Sequence, residues 1–145
     1  MADDLKNTLD ELCQRTGAIG AVLCDDEGET VTAALGPQPI SEGAEARARD
    51  HIPRSMQLEM PVGEFLVRLV GAECCGLVRM VDRVLRDQLD GPLSGLHLRY
   101  RDLDLLLQPL PEDFYLLVLL RRPLLLPVLQ MHVRDAHSAL AAQLS

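Results

Sequence analysis

The 145-residue chain predicts an α/β fold of the α+β type: an antiparallel five-stranded sheet with a long central helix on one face and the two terminal helices on the other. Three observations carry this expectation. Residues 62–89 repeat apolar side chains at helical period without an internal proline. Phe114 to Leu120 is continuously apolar and too short for a helix, which fits a central strand buried on both faces. Ala18 to Cys24 and Thr30 to Leu35 flank an Asp25-Asp26-Glu27-Gly28 turn and read as a β-hairpin. A strand apolar on both sides requires cover above and below the sheet, so helices belong on both faces.

The elements follow in the order α-β-β-α-β-β-β-α. Leu5, Leu9 and Leu12 share one helical face, and Asp3 and Asp4 suit the positive end of a helix from about Asp3 to Arg15, which Gly17 ends. After the hairpin, Gly36-Pro37-Gln38-Pro39 breaks the sheet. Within the connection at about 38–61, Glu45 to Asp50 suits a helical turn supported by Glu45 and Arg49, and Met56 to Met60 alternates like a short strand or edge. The long helix runs from Val62 to Leu89 and stops at Asp90-Gly91-Pro92. Leu96, Leu98 and Tyr100 then alternate with His97, Arg99 and Arg101, Leu103 to Gln108 forms the next strand, and Pro109 to Glu112 turns into the central one. The last helix runs from about Pro127 to Gln143 and buries Leu129, Val133, Ala136 and Leu140. Residues 1–145 are expected to form one domain.

The long helix divides into three faces. With Arg68 at zero and about 100° per residue, Leu66, Val70, Leu77, Val81 and Val84 form a stripe assigned to the core. Val67, Gly71, Cys74, Val78 and Leu85 widen the apolar arc to roughly half the circumference, more than one packing surface needs, and are assigned to a dimer interface. Opposite lies a narrow basic stripe, Arg68, Arg79, Arg83 and Arg86 with Ala72 and Cys75, on a chain of net charge −8. These four arginines are the candidate partner-binding residues.

Composition narrows the function. An acidic chain with 3% aromatic residues and no Trp offers few stacking platforms and little phosphate-binding charge, so nucleic acid is not an expected partner. The acidic start, MADDLKN, lacks the features of a secretory signal, and no apolar stretch approaches the ~20 residues of a membrane span, so a cytoplasmic protein without membrane insertion is expected. Cys13, Cys24, Cys74 and Cys75 match neither a zinc nor a C-x-x-C spacing and read as reduced thiols, and His51, His97, His132 and His137 are scattered. No metal and no cofactor is expected. Phosphate-binding glycine loops and the G-x-S-x-G elbow are absent, and Asp25, Asp26 and Glu27 suit turn geometry, so no enzymatic activity is expected.

Gly17-Ala18-Ile19-Gly20-Ala21-Val22-Leu23 running into Asp26-Glu27-Gly28, and later Leu110-Pro111-Glu112-Asp113-Phe114-Tyr115-Leu116-Leu117-Val118-Leu119-Leu120 before a helix, resemble the hairpin and last strand of the Roadblock family, which includes dynein light-chain Roadblock and bacterial MglB-like proteins. The resemblance covers most of the chain outside about Gln38 to Pro61. It implies a non-catalytic dimer, with its own copy or a related Roadblock subunit, whose long helices pack antiparallel and whose sheet continues across the two-fold axis. It also implies a platform for Ras-like small GTPases of the MglA-like class. The chain departs from the family in its long 38–61 connection and in Pro123 and Pro127 before the last helix. Two other readings fit the same elements: a type III secretion chaperone holding an extended effector segment, and a small-molecule-sensing domain.

Overall fold

The computed structural model describes residues 2–39, 42–55, 60–121 and 126–144. The expected strand-like stretch from Met56 falls largely on residues 56–59, which lie outside these, as does Pro123. The elements are α1 (Ala2–Thr16), β1 (Gly20–Cys24), β2 (Thr30–Leu35), α2 (Glu42–His51), α3 (Val62–Leu85), β3 (Leu96–Arg99), β4 (Leu103–Pro109), a 3₁₀ turn (Pro111–Asp113), β5 (Tyr115–Arg121) and α4 (Leu126–Leu144). The strands form one antiparallel sheet in the order β2-β1-β5-β4-β3. α2 is a full helix where the sequence supports only a turn around Glu45–Asp50.

β5 sits at the centre of the sheet: like its neighbour β1 it is apolar almost throughout, and it is buried from Tyr115 to Leu120. The pleat sends Leu116, Val118 and Leu120 to one face, where they meet Leu5, Leu9 and Leu12 of α1 and Leu129, Val133, Ala136 and Leu140 of α4. Leu117 and Leu119 go to the other, with Val22 and Cys24 of β1, Leu105 and Leu107 of β4, and Val67, Cys75 and Val78 of α3. The long helix thus covers one face and the terminal helices the other. α3 lies mainly across β1 and β2, toward one end of the sheet.

Local chemistry sets the turns that frame the sheet. Asp25 accepts the backbone N–H groups of Glu27 and Glu29 on Oδ1, both at 2.9 Å, and Gly28 takes a positive φ of 84°, so the acidic hairpin tip is Asx-type turn chemistry. The N–H of Gly36 donates to the carbonyl of Ile19 at 2.9 Å, fastening the end of β2 to the start of β1. A Cβ at Gly36 would stand 1.8 Å from the carbonyl oxygen of Ala18, a backbone atom with no freedom to withdraw. Gly36→Ala is therefore expected to cost about 2 to 4 kcal/mol and to lower the thermal midpoint by roughly 10 °C, measured by calorimetry. An unchanged midpoint would mean the β2 end moves freely.

The long helix ends earlier than Leu89. Regular α3 stops at Leu85, and turns carry the chain to Asp90, where φ is 59° and the N–H of Gly91 bonds to the carbonyl of Arg86 at 2.9 Å. Asp82 Oδ1 accepts the N–H of Leu93 at 2.8 Å and ties the following loop back onto the helix.

Candidate partner-binding surface

The arc of α3 that meets the sheet differs from the sequence expectation. Val67, Gly71 and Val78, assigned to a dimer interface, are buried against the chain's own sheet together with Cys75, which the sequence places on the basic stripe. The physical reason is close approach. A Cβ at Gly71 would lie 3.0 Å from Val22 Cγ1, and one at Gly20 would lie 2.9 Å from Val67 Cγ2, so the small residues on both elements let α3 settle low on β1. Cys74 is half-buried at the margin of this contact and Leu85 is exposed. Burial of the Cys74 thiol, with the nearby carboxylate of Glu73, raises its pKa.

The stripe assigned to the core is what remains outside. Leu77 is 54% exposed and Val84 61%, Val81 is exposed, and Leu66 and Val70 are half-buried. Leu69 and Met80, the latter 62% exposed, extend the same surface and were not singled out by the sequence. Their signal was present in the period: they fall on the outer side of this stripe at about 100° per residue. The result is an apolar band along the outward side of a 24-residue helix.

The arginine row borders this band but is not uniform. Arg68 is half-buried and donates to Glu64 at 3.2 Å, one turn earlier. Arg86 pairs with Asp82, and that pairing, with the Leu93 N–H bond, holds the Asp82 carboxyl below its usual range. Arg79 and Arg83 make no salt bridge among the described residues. They face a shallow hollow of about 310 Å³ at the C-terminal end of α3, whose other walls are Asp82, Arg86 and Asp87 of the helix end, Asp26 of the hairpin turn, and Asp113 and Tyr115 at the start of β5. Burial, reinforced by the Asp113 and Asp82 carboxylates, raises the Tyr115 phenol above its ordinary pKa. Two residues beside it, Glu112 and Asp113, hold left-handed backbone (φ 63° and 61°) that glycine normally takes, which fixes Asp113 at the rim. The charges in the hollow are mixed, four carboxylates with three guanidinium groups. That composition suits a polypeptide surface of mixed charge better than a free anion. Sequence reasoning missed Asp26 and Asp113 as neighbours of the arginines, because two turns far apart in the chain bring them to the helix.

Elsewhere the described residues hold no group of three or more metal-ligating side chains, and no helix is long and apolar enough to cross a membrane. His97 lies 3.7 Å from Asp104 at the β3 edge, and His137 reaches the Pro109 carbonyl at 3.0 Å.

No family model matches the chain, and none of the curated proteins does. Solved structures do. Myxococcus xanthus MglB superposes with a TM-score of 0.73 at 12% identity, covering 99% of this chain and 90% of that one. Gliding protein MglB from Thermus thermophilus gives 0.72 at 16%, covering 97% and 87%. A Roadblock/LC7 domain from Streptomyces avermitilis gives 0.68 at 14%, covering 96% of each. The chain therefore has the Roadblock fold, as its hairpin and last strand suggested.

Proposed function

We propose that the chain is a cytoplasmic, non-catalytic regulator or scaffold, a single Roadblock-like domain over residues 1–145. It pairs through the outward apolar band of α3 with a second Roadblock-type chain, and it presents Arg79 and Arg83, flanked by Arg68 and Arg86, to a Ras-like, MglA-like small GTPase. The observation that carries this reading is the band itself: Leu69, Leu77, Met80, Val81 and Val84 stand exposed side by side on one helix, an arrangement that a soluble chain covers with a partner. The adjoining arginines, interleaved with the carboxylates of the hollow, offer a protein partner a surface of mixed charge in which Arg79 and Arg83 supply the local attraction for its acidic groups. The MglB neighbours add support from shared fold. Regulation would follow from unequal affinity for the two nucleotide states, since a ligand shifts an equilibrium only by its differential binding.

The test is titration of a purified MglA-like GTPase, loaded with GDP or with a non-hydrolysable GTP analogue, into the protein. Binding that favours one nucleotide state is expected. Arg79→Glu with Arg83→Glu should leave the fold intact, both side chains lying off the sheet contact, and slow association about tenfold or more at low salt. Equal binding of both states, or a charge-reversed variant that associates at the wild-type rate, would overturn the proposal.

A further inference from the structure

On the outward face of α3 one charge stands in an apolar surrounding. Glu73 is exposed, and its neighbours one and two turns away on that face are Leu66, Leu69, Val70, Leu77 and Met80. The other charged residues of the helix, Glu64, Arg68, Arg79, Asp82 and Arg83, lie toward the sheet or on the basic row at about 100° per residue. Glu73 makes no salt bridge among the described residues. It also sits at the middle of Val62–Leu85. Gly76, one turn on, is exposed and has open space where a side chain would project.

Two copies packed antiparallel along this band would bring the two Glu73 carboxylates together near the two-fold axis, with no cation on this face of either chain to answer them. Enclosing two like charges in an apolar seam is unfavourable, and a single such residue in a helix seam selects among partners. We propose that α3 pairs preferentially with a related, non-identical chain whose long helix presents a Lys or Arg to Glu73, the gap at Gly76 giving that side chain room, and that self-association is the weaker state. This rests on the pairing face proposed above.

The experiment is sedimentation velocity on the wild type, Glu73→Gln, Glu73→Lys, and an equimolar mixture of wild type with Glu73→Lys, in which the lysine variant stands in for a basic partner and one chain carries a fluorescent label. Glu73→Gln should self-associate about tenfold or more tightly than wild type, and the mixture should pair about tenfold or more tightly than either chain alone, with the advantage shrinking as salt rises. A wild type as tightly paired as Glu73→Gln, or a mixture no tighter than its separate components, overturns the inference. Leu77→Asp separates the two levels. If it abolishes pairing while Glu73→Gln changes nothing, only the partner preference fails. If pairing survives Leu77→Asp, or no chain and no mixture associates at all, the pairing face itself is wrong and the inference falls with it.

Discussion

Val118→Asp is expected to leave no folded protein. Val118 is 0% exposed at the middle of β5, across from Ala21 on β1 and from Leu106 on β4, with its side chain in the core shared by α1 and α4. The strand is paired on both edges and covered on both faces, so no backbone movement brings a carboxylate there to water. Among the described buried side chains of that cluster none is a cation. The group must either stay charged in an apolar core or take up a proton, and the cost of about 4 kcal/mol or more is comparable with the ~5–15 kcal/mol that holds a domain of this size together. Loss of soluble expression, or of cooperative unfolding in whatever is recovered, is the readout. A soluble variant with a sharp thermal transition would mean β5 is not central.

The placement of β5 was legible because seven consecutive apolar residues bounded by turn signals admit few other structures. The hairpin was legible for a similar reason: Asp25 and Gly28 are the residue types that the turn requires, and the structure uses both. α1 and α4 bury the leucine, valine and alanine positions that their periods indicate. What sequence could not supply was anything depending on the distance between elements. The extent of α2 is one example, since Glu42–His51 has little amphipathic pattern to announce it and is held by packing on α3. The hollow beside Arg79 and Arg83 is another, because Asp26 and Asp113 come from turns far apart in the chain.

The face of α3 is where sequence and structure part most consequentially. Periodicity locates an apolar arc but does not say which part of a wide arc faces the sheet. The helical period of Leu66, Val70, Leu77, Val81 and Val84 suggested that stripe, yet the sheet took the side with Gly71, Cys75, Val67 and Val78, because Gly20 and Val22 on β1 accept a helix only at short range. Close contact over small residues keeps more atoms in van der Waals range than a looser contact over large ones. The larger residues were thereby left outward, where a partner can cover them.

That reversal makes the two assignments separable by one set of substitutions. Leu77→Asp combined with Val84→Asp places two carboxylates on side chains that are 54% and 61% exposed. In the isolated chain both remain hydrated, and the expected penalty is only the lower helix propensity of Asp, about 1 kcal/mol or less per site. Circular dichroism should therefore show the wild-type helical content and a cooperative transition. Pairing is a different matter, since each carboxylate would have to be enclosed in an apolar seam with no cation on the same band of α3. At a concentration where the wild type sediments as a dimer the double variant should sediment as a monomer, a weakening of about 100-fold or more, or some ~2.8 kcal/mol. Val67→Asp or Val78→Asp, each on a residue buried against the sheet, should behave in the opposite way and fail to fold before pairing can be measured. Were Leu77→Asp with Val84→Asp to unfold the chain while Val67→Asp stayed folded, α3 would be turned by about 100° from the orientation described, and the sequence-based assignment of its faces would stand.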